Sequence, residues 1–199
     1  ISVAAGVTLT VEPGVEARFA GNSELVVYGR LLAVGTATAP ITFTGTTATP
    51  GWWYGISLNG TAGAPLSGSR LDHVTVEYGG RGSYGNLNLY YASLVVDHSR
   101  VRHSGNKGLR GSTRGVAHIA NSAFNGNAGL AIEFGDGSVQ PVLANLTVSG
   151  NGTDAVGFGG GTVGSDYTWR ALGVPYLFAS AISVAAGVTL TVEPGVEAR

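Results

Sequence analysis

Two Asp-His dipeptides, Asp72-His73 and Asp97-His98, stand 25 residues apart in the sequence. Carboxylates paired beside imidazoles can pass a proton in acid–base catalysis or hold a cation. Arg100 and Arg102 follow closely and could supply the base that a polysaccharide lyase uses, but the acids nearby are too few for a calcium cage. The plainer role for the aspartates, and the one expected here, is to cap a bend by accepting backbone N–H bonds. A second group, Trp52, Trp53 and Tyr54 with Tyr90 and Tyr91, could stack on sugar rings as a glycan contact, although aromatics more often seal a core. His103 and His118 are scattered and show no metal-ligand spacing.

Other chemistries lack their residues. The 199-residue chain contains no cysteine, so it has no disulfide framework, thiolate zinc site or cysteine nucleophile. Lys107 is the only lysine, and no phosphate-binding loop of the Gly-x-x-x-x-Gly-Lys type exists. No Gly-x-Ser-x-Gly elbow lies between a strand and a helix. Gly159 to Asp166 is glycine-rich but occurs once, without the register of a calcium-binding nonapeptide, and reads as a loop. Gly135-Asp136-Gly137 reads as a turn. A net charge of −1 removes the basic footprint of a nucleic-acid binder, and there is no polybasic tract for an anionic membrane. No catalytic residue, no cofactor and no metal is therefore expected. Asn59, Asn145 and Asn151 begin glycosylation sequons, which matter only in a eukaryotic secretory route.

The elements that would position these side chains follow from repetition. Residues 1–18 recur letter for letter as residues 182–199, an offset of 181. That identity marks a 181-residue tandem repeat. Within it runs a looser period, in Leu71-Asp-His-Val-Thr-Val-Glu77, Val96-Asp-His-Ser-Arg-Val-Arg102, Ile119-Ala-Asn-Ser-Ala-Phe-Asn125 and Leu143-Ala-Asn-Leu-Thr-Val-Ser149. These segments start 25, 23 and 24 residues apart. A second column passes through Ile56-Ser-Leu58, Leu87-Asn-Leu89, Leu109-Arg-Gly111, Leu130-Ala-Ile132 and Val156-Gly-Phe158. Apolar residues alternate with period two, and the 33 glycines oppose long helices.

Short strands on a period near 24 residues, with glycine and asparagine between them, predict an all-β chain. The fold expected is a right-handed parallel β-helix, a β-solenoid of about seven coils per 181-residue unit. Residues 1–199 form a single continuous β-helix in this reading. Val76, Val101, Phe124 and Val148 should stack as one core file, and Leu71, Val96, Ile119 and Leu143 as another. His73, His98, Asn121 and Asn145 should form a structural ladder at the bend, its amides satisfying backbone groups. Glu77 and Arg102 would lie one coil apart as an exposed ion pair. Thr44–Gly51, Thr61–Ser69 and Gly135–Gln140 should leave the coil as loops. The uncharged run from Ala171 to Val192 is long enough for a membrane span. Pro175 and the alternation of Val188–Val192 make it a buried strand pair instead, so no membrane insertion is expected.

The runs Gly6-Val-Thr-Leu-Thr-Val-Glu-Pro-Gly-Val15, Gly35-Thr-Ala-Thr-Ala-Pro-Ile-Thr-Phe43 and Leu71-Asp-His-Val-Thr-Val-Glu-Tyr-Gly-Gly80 resemble bacterial right-handed parallel β-helix repeat proteins. The likeness extends to Ser23-Glu-Leu-Val-Val27 and to Tyr167-Thr-Trp-Arg-Ala-Leu-Gly-Val-Pro-Tyr176. Such proteins belong to the pectate-lyase-like superfold, which hosts lyases, hydrolases, adhesins and inert stalks. The resemblance implies a structural repeat unit of an extracellular or cell-surface filament, stalk or adhesin. Its partners would be neighbouring identical repeats docked end to end, and surface glycans. The alternatives on the same fold are a polysaccharide lyase or hydrolase and a carbohydrate-binding module. The chain opens at Ile1 and is expected to be a piece of a longer polypeptide, with any signal peptide outside it.

Overall fold

Alternating segments of two to seven residues bury too little apolar surface to stand as isolated hairpins; they are stable when stacked on equivalents of themselves. The computed structural model describes residues 1–199 and contains 24 strands and no helix. The paired strands are parallel, and three strands complete each coil of a β-solenoid of about eight turns. No helix is long and apolar enough to cross a membrane.

Face A carries Ser2–Val3, Glu24–Val27, Gly55–Asn59, Gly85–Tyr90, Lys107–Ser112, Leu130–Phe134, Thr153–Phe158 and Tyr176–Phe178. Face B carries Thr8–Val11, Arg30–Val34, Leu66–Asp72, Ala92–Asp97, Val116–Ala120 and Val142–Ala144. Face C carries Glu16–Phe19, Ile41–Gly45, Val74–Glu77, Arg100–Arg102, Ala123–Asn125 and Thr147–Ser149. In the last two coils the second and third faces pass to separate sheets, pairing Gly161–Val163 with Ile182–Val184 and Tyr167–Trp169 with Leu190–Val192. Face A alone runs unbroken. The interruption comes after Thr147–Ser149, and the coils on its two sides are tied where Tyr167 Oη donates to the Pro141 carbonyl at 2.6 Å. Of the other expected loops, Thr44–Gly45 and Leu66–Ser69 are strand; the latter pairs with Ala92–Asp97 across a register shift between Ala92 and Leu94.

Inward side chains stack in files. Val76, Val101, Phe124 and Val148 are consecutive partners on face C, and the file begins with Ala17 and Phe43. Its middle members are fully buried, while Val148, on the last strand of face C, is half-buried. On face B the file is Val11, Ala33, Leu71, Val96, Ile119 and Leu143. Face A corrects one expected alignment: Leu109 pairs with Ile132 rather than Leu130, and Gly111 pairs with Phe134. The reason is volume. A Cβ on Gly111 would lie 2.8 Å from the Phe134 ring, so the missing side chain is the space the phenyl group fills. The uncharged segment 171–192 is corrected too. Its first strand, Tyr176–Phe178, packs inward, but Ile182–Val184 and Leu190–Val192 are mostly exposed, with Val184 at 43% and Val192 at 51%, because they lie on the terminal coil.

The duplicated eighteen residues take strand form at both ends, on different faces. The first copy puts Ser2–Val3 on face A, Thr8–Val11 on B and Glu16–Phe19 on C. In the second copy Ile182–Val184 directly follows the last strand of face A, and Leu190–Val192 occupies the third face. Its last residues return to face A, where Ala198 bridges Tyr176. The first copy starts on the first strand and the second on the twenty-third, twenty-two strands later or seven and a third coils.

The corner between faces C and A turns on a left-handed residue directly after the strand, Tyr78, His103, Gly126 or Gly150, joined in the longer Tyr78 corner by Gly80 and Gly82. A ladder of polar side chains follows it, buried at Ser104 and Asn127 and emerging to solvent by Asp154. Asn127 Oδ1 accepts the Ser104 N–H of the coil above, Asn151 Oδ1 accepts the Asn127 N–H, and Asp154 Oδ1 accepts the Asn151 N–H. Each amide also donates upward, Asn127 to the Val101 carbonyl and Asn151 to the Phe124 carbonyl. Backbone groups that a corner would leave unpaired are thereby satisfied one coil at a time. The N–H of Asn151, its side-chain amide and the Gly150 N–H hold the Asp154 carboxyl below its usual range, outweighing slight desolvation.

Truncating Phe124 to alanine in this closed file should cost about 3–5 kcal/mol, read as a lowered denaturant midpoint at unchanged slope. A loss below about 1 kcal/mol would mean that the file is not close-packed. Asp154 has a depressed folded-state pKa, so its contribution is complete above about pH 4 and disappears as pH falls through the lower folded value. Denaturant midpoints at pH 7 and pH 3 should therefore differ less in Asp154→Asn than in the unaltered protein.

Candidate functional site

Faces B and C meet at a one-residue corner occupied by His73, His98, Asn121 and Asn145, with φ of 51°, 43°, 49° and 51°. Asn and His are among the residues that tolerate this left-handed conformation. The residue before each corner ends a face B strand, which aligns Asp72, Asp97, Ala120 and Ala144 as an adjoining file. The two Asp-His pairs are thus brought together on adjacent coils.

Arg70, two residues up the face B strand, reaches both acids: one guanidinium nitrogen lies 2.7 Å from Asp72 Oδ2 and 3.2 Å from Asp97 Oδ2. The remaining oxygens turn toward the imidazoles. Asp72 Oδ1 is 2.9 Å from His73 Nδ1 and 3.6 Å from His98 Nδ1, and Asp97 Oδ1 is 3.1 Å from His98 Nδ1. The two rings stack with centroids 4.8 Å apart and planes 10° from parallel. Burial pushes the Asp72 carboxyl up, but the hydrogen bond and charge of Arg70, joined by His73, outweigh it and leave the group below its usual range. The hydrogen bond to Asp72 raises Arg70 in turn, against some desolvation. Asp72 is held as a carboxylate and is poorly suited to donate a proton near neutral pH.

The polar column differs from the expected ladder in its partners. Asn145 Nδ2 donates to Asn121 Oδ1 and Asn121 Nδ2 donates to Asp97 Oδ1, both at 3.0 Å, so the amides bond one another rather than the backbone. The backbone is served by the next file inward. Ser99 Oγ accepts the Val74 N–H and donates to the Asp97 carbonyl, while Ser122 Oγ accepts the Ser99 N–H and donates to the Ala120 carbonyl. These serines are buried and were not singled out in the sequence, although Ser99 and Ser122 each follow a ladder residue directly. Of the two aspartates only Asp97 caps backbone, accepting the N–H of His98.

A groove of about 650 Å³ runs down the solenoid beside this corner, with His73, Thr75, His98, Arg100, Asn121 and Thr147 among its walls. Arg100 is exposed there. Arg102 is not available beside it, because its Nε lies 2.7 Å from Glu77 Oε2. That pair corrects the expectation of an exposed ion pair. The Glu77 side chain is only 11% exposed, since Thr44 above it donates to Oε1 and Arg102 covers it from below. His103 stacks on Tyr78 at the other corner and His118 projects from face B, so neither joins the cluster.

The aromatic residues do not form one surface. Trp53 is fully buried, stacked on Phe19 at 4.2 Å and donating its indole N–H to the Glu77 carbonyl, so it is core and not a glycan contact. Trp52 is half-buried with its N–H bonded to Thr46. Tyr54 meets Tyr84 edge-on at the start of the face A strands, and Tyr90 meets Tyr91 edge-on at their far end. A strand of this length separates the two groups by roughly 15 Å.

No family model matches the chain, and no curated protein or solved structure matches it. Truncating Ser99 to alanine leaves the Val74 N–H buried without a partner and should cost about 1–3 kcal/mol. Chemical denaturation measures this, and a neutral effect would show that the serine file is dispensable.

Proposed function

We propose that this chain is one unit of a long extracellular shaft, a bacterial right-handed parallel β-helix of the pectate-lyase-like superfold whose identical neighbours continue the coil end to end. The observation that carries the reading is the duplicated segment. The same eighteen residues form coil at both ends of the chain, beginning on face A in one copy and on the second face in the other. A segment that serves on either face can be followed by the rest of the same unit. In the first copy the strand that covers Ser2–Val3 is Glu24–Val27. Its equivalent in a following unit would cover Ile182–Val184, closing the open strand edge that a bare solenoid end presents.

The phase has a geometric consequence. Seven and a third coils at about 4.8 Å each raise every unit by about 35 Å and turn it by one face, so equivalent surfaces return after three units. Side chains displayed once per unit then wind around the shaft. The absence of cysteine and the sparse charge suit a fibre exposed to oxidants and variable salt. The fixed carboxylate of Asp72 supports a non-catalytic reading, as does the engagement of Arg102 by Glu77.

Electron microscopy of polypeptides carrying one, two and three 181-residue units tests this. Rods lengthening by about 35 Å per unit are expected. Globular particles, or separate beads with a flexible joint, would defeat the proposal.

A further inference from the structure

The needs of the fold do not account for the Asp-His pairs. Each rung of the corner between faces B and C requires a residue that accepts a left-handed backbone, and asparagine meets that need at Asn121 and Asn145. There the preceding residue is alanine, Ala120 or Ala144. Histidine replaces asparagine only at His73 and His98, and only there does the preceding position hold an acid. Two ligand types therefore change together on adjacent coils, at the place where Arg70 turns both carboxylates.

We propose that this corner is a binding site for a divalent first-row transition metal such as zinc, with Asp72 Oδ1, His73 Nδ1 and His98 Nδ1 as ligands and Asp97 Oδ1 beside them. The three ligand atoms lie within 4.8 Å of one another. Asp72 Oδ1 lies 2.9 and 3.6 Å from the two imidazole nitrogens, which straddles about 3.3 Å, the edge of a tetrahedron whose ligands lie 2.0–2.1 Å from zinc, and Asp97 Oδ1 is 3.1 Å from His98 Nδ1. Imidazole nitrogen with carboxylate oxygen suits zinc and its neighbours; calcium would require six or more oxygens. The site opens to solvent on the His98 side, whose side chain is 50% exposed, so an ion can enter and keep water as a further ligand. Arg70 binds the outer oxygens Oδ2 and leaves the Oδ1 atoms facing the imidazoles, the orienting role that outer hydrogen bonds play around metal ligands. Binding needs the stacked rings to tilt about χ2 toward the ion, a soft torsion for histidine. Two consecutive coils are thereby cross-linked at one point of an otherwise repetitive shaft.

Asparagine is the substitution the fold itself supplies, so His73→Asn and His98→Asn keep the corner while removing a ligand. Calorimetric titration of the full chain with zinc chloride should show one saturable site, weakened about tenfold or more in each variant. His103→Asn and His118→Asn, which alter histidines away from the corner, should bind like the unaltered protein. With cobalt(II) the unaltered chain should develop the intense visible bands of tetrahedral coordination, absent in the double variant His73→Asn with His98→Asn. No saturable binding, or equal affinity in the corner variants and the unaltered chain, would overturn the site. So would a loss of binding in His103→Asn or His118→Asn, which would place the ion elsewhere. Matching thermal melting curves of the metal-free variants confirm that a lost site is not a lost fold.

Discussion

The parallel main-chain ladder between successive coils is the constraint from which the remaining features follow. Each strand is held to the equivalent strand of the coils above and below, as when Val101 pairs with Val76 on one side and Phe124 on the other. Side chains of one file are then fixed about one strand spacing apart, and neighbours must share both volume and polarity. Where one file member is too small, the next must fill the gap, as Phe134 does over Gly111. Where a file is polar its members bond each other, which converts a row of exposed amides into the run Asn145, Asn121, Asp97.

The corners are the second requirement. A coil of three short strands must turn sharply without leaving main-chain groups unpaired inside. At two of its corners the chain uses one left-handed residue followed by a polar residue that points inward and bonds the coil above. The first device spends conformational strain, small for asparagine, histidine and glycine; the second recovers main-chain hydrogen bonds that the turn would forfeit. Because each cap reaches across to another coil, the corners add cohesion along the axis as well as changes of direction. Stacking also gathers the Asp-His cluster: a dipeptide ordinary in sequence becomes two carboxylates and two imidazoles in contact when it is repeated one rung apart.

Much of the architecture was legible because stacking makes the period visible. The segments beginning at Leu71, Val96, Ile119 and Leu143 pair in the register their spacing implies. The file through Val76, Val101, Phe124 and Val148 is likewise continuous. The alignment failed at Leu130, where counting apolar positions cannot tell that a phenyl ring four residues on will occupy the void over a glycine. It failed again at Trp53 and at Glu77, whose burial depends on Phe19 and Thr44 from earlier coils. Ser99, Ser122, Asn127 and Asn151 carry the corner hydrogen bonds without forming a familiar motif, so spacing alone gave them no weight.

By itself, then, the sequence determined the class of fold, the strand period, the composition of the interior files and the identity of the repeated segment. These follow from alternation and self-similarity, which any stacked solution must respect. Tertiary structure decided which side chains meet, because contact here runs along the axis between residues some 23 to 27 positions apart. It decided that Arg70 joins Asp72 to Asp97 and that only the first face continues unbroken past Ser149. It also decided that identical residues 1–18 and 182–199 begin on different faces. Phase around a coil depends on the summed length of every turn between the two copies, and no local stretch of sequence contains that sum.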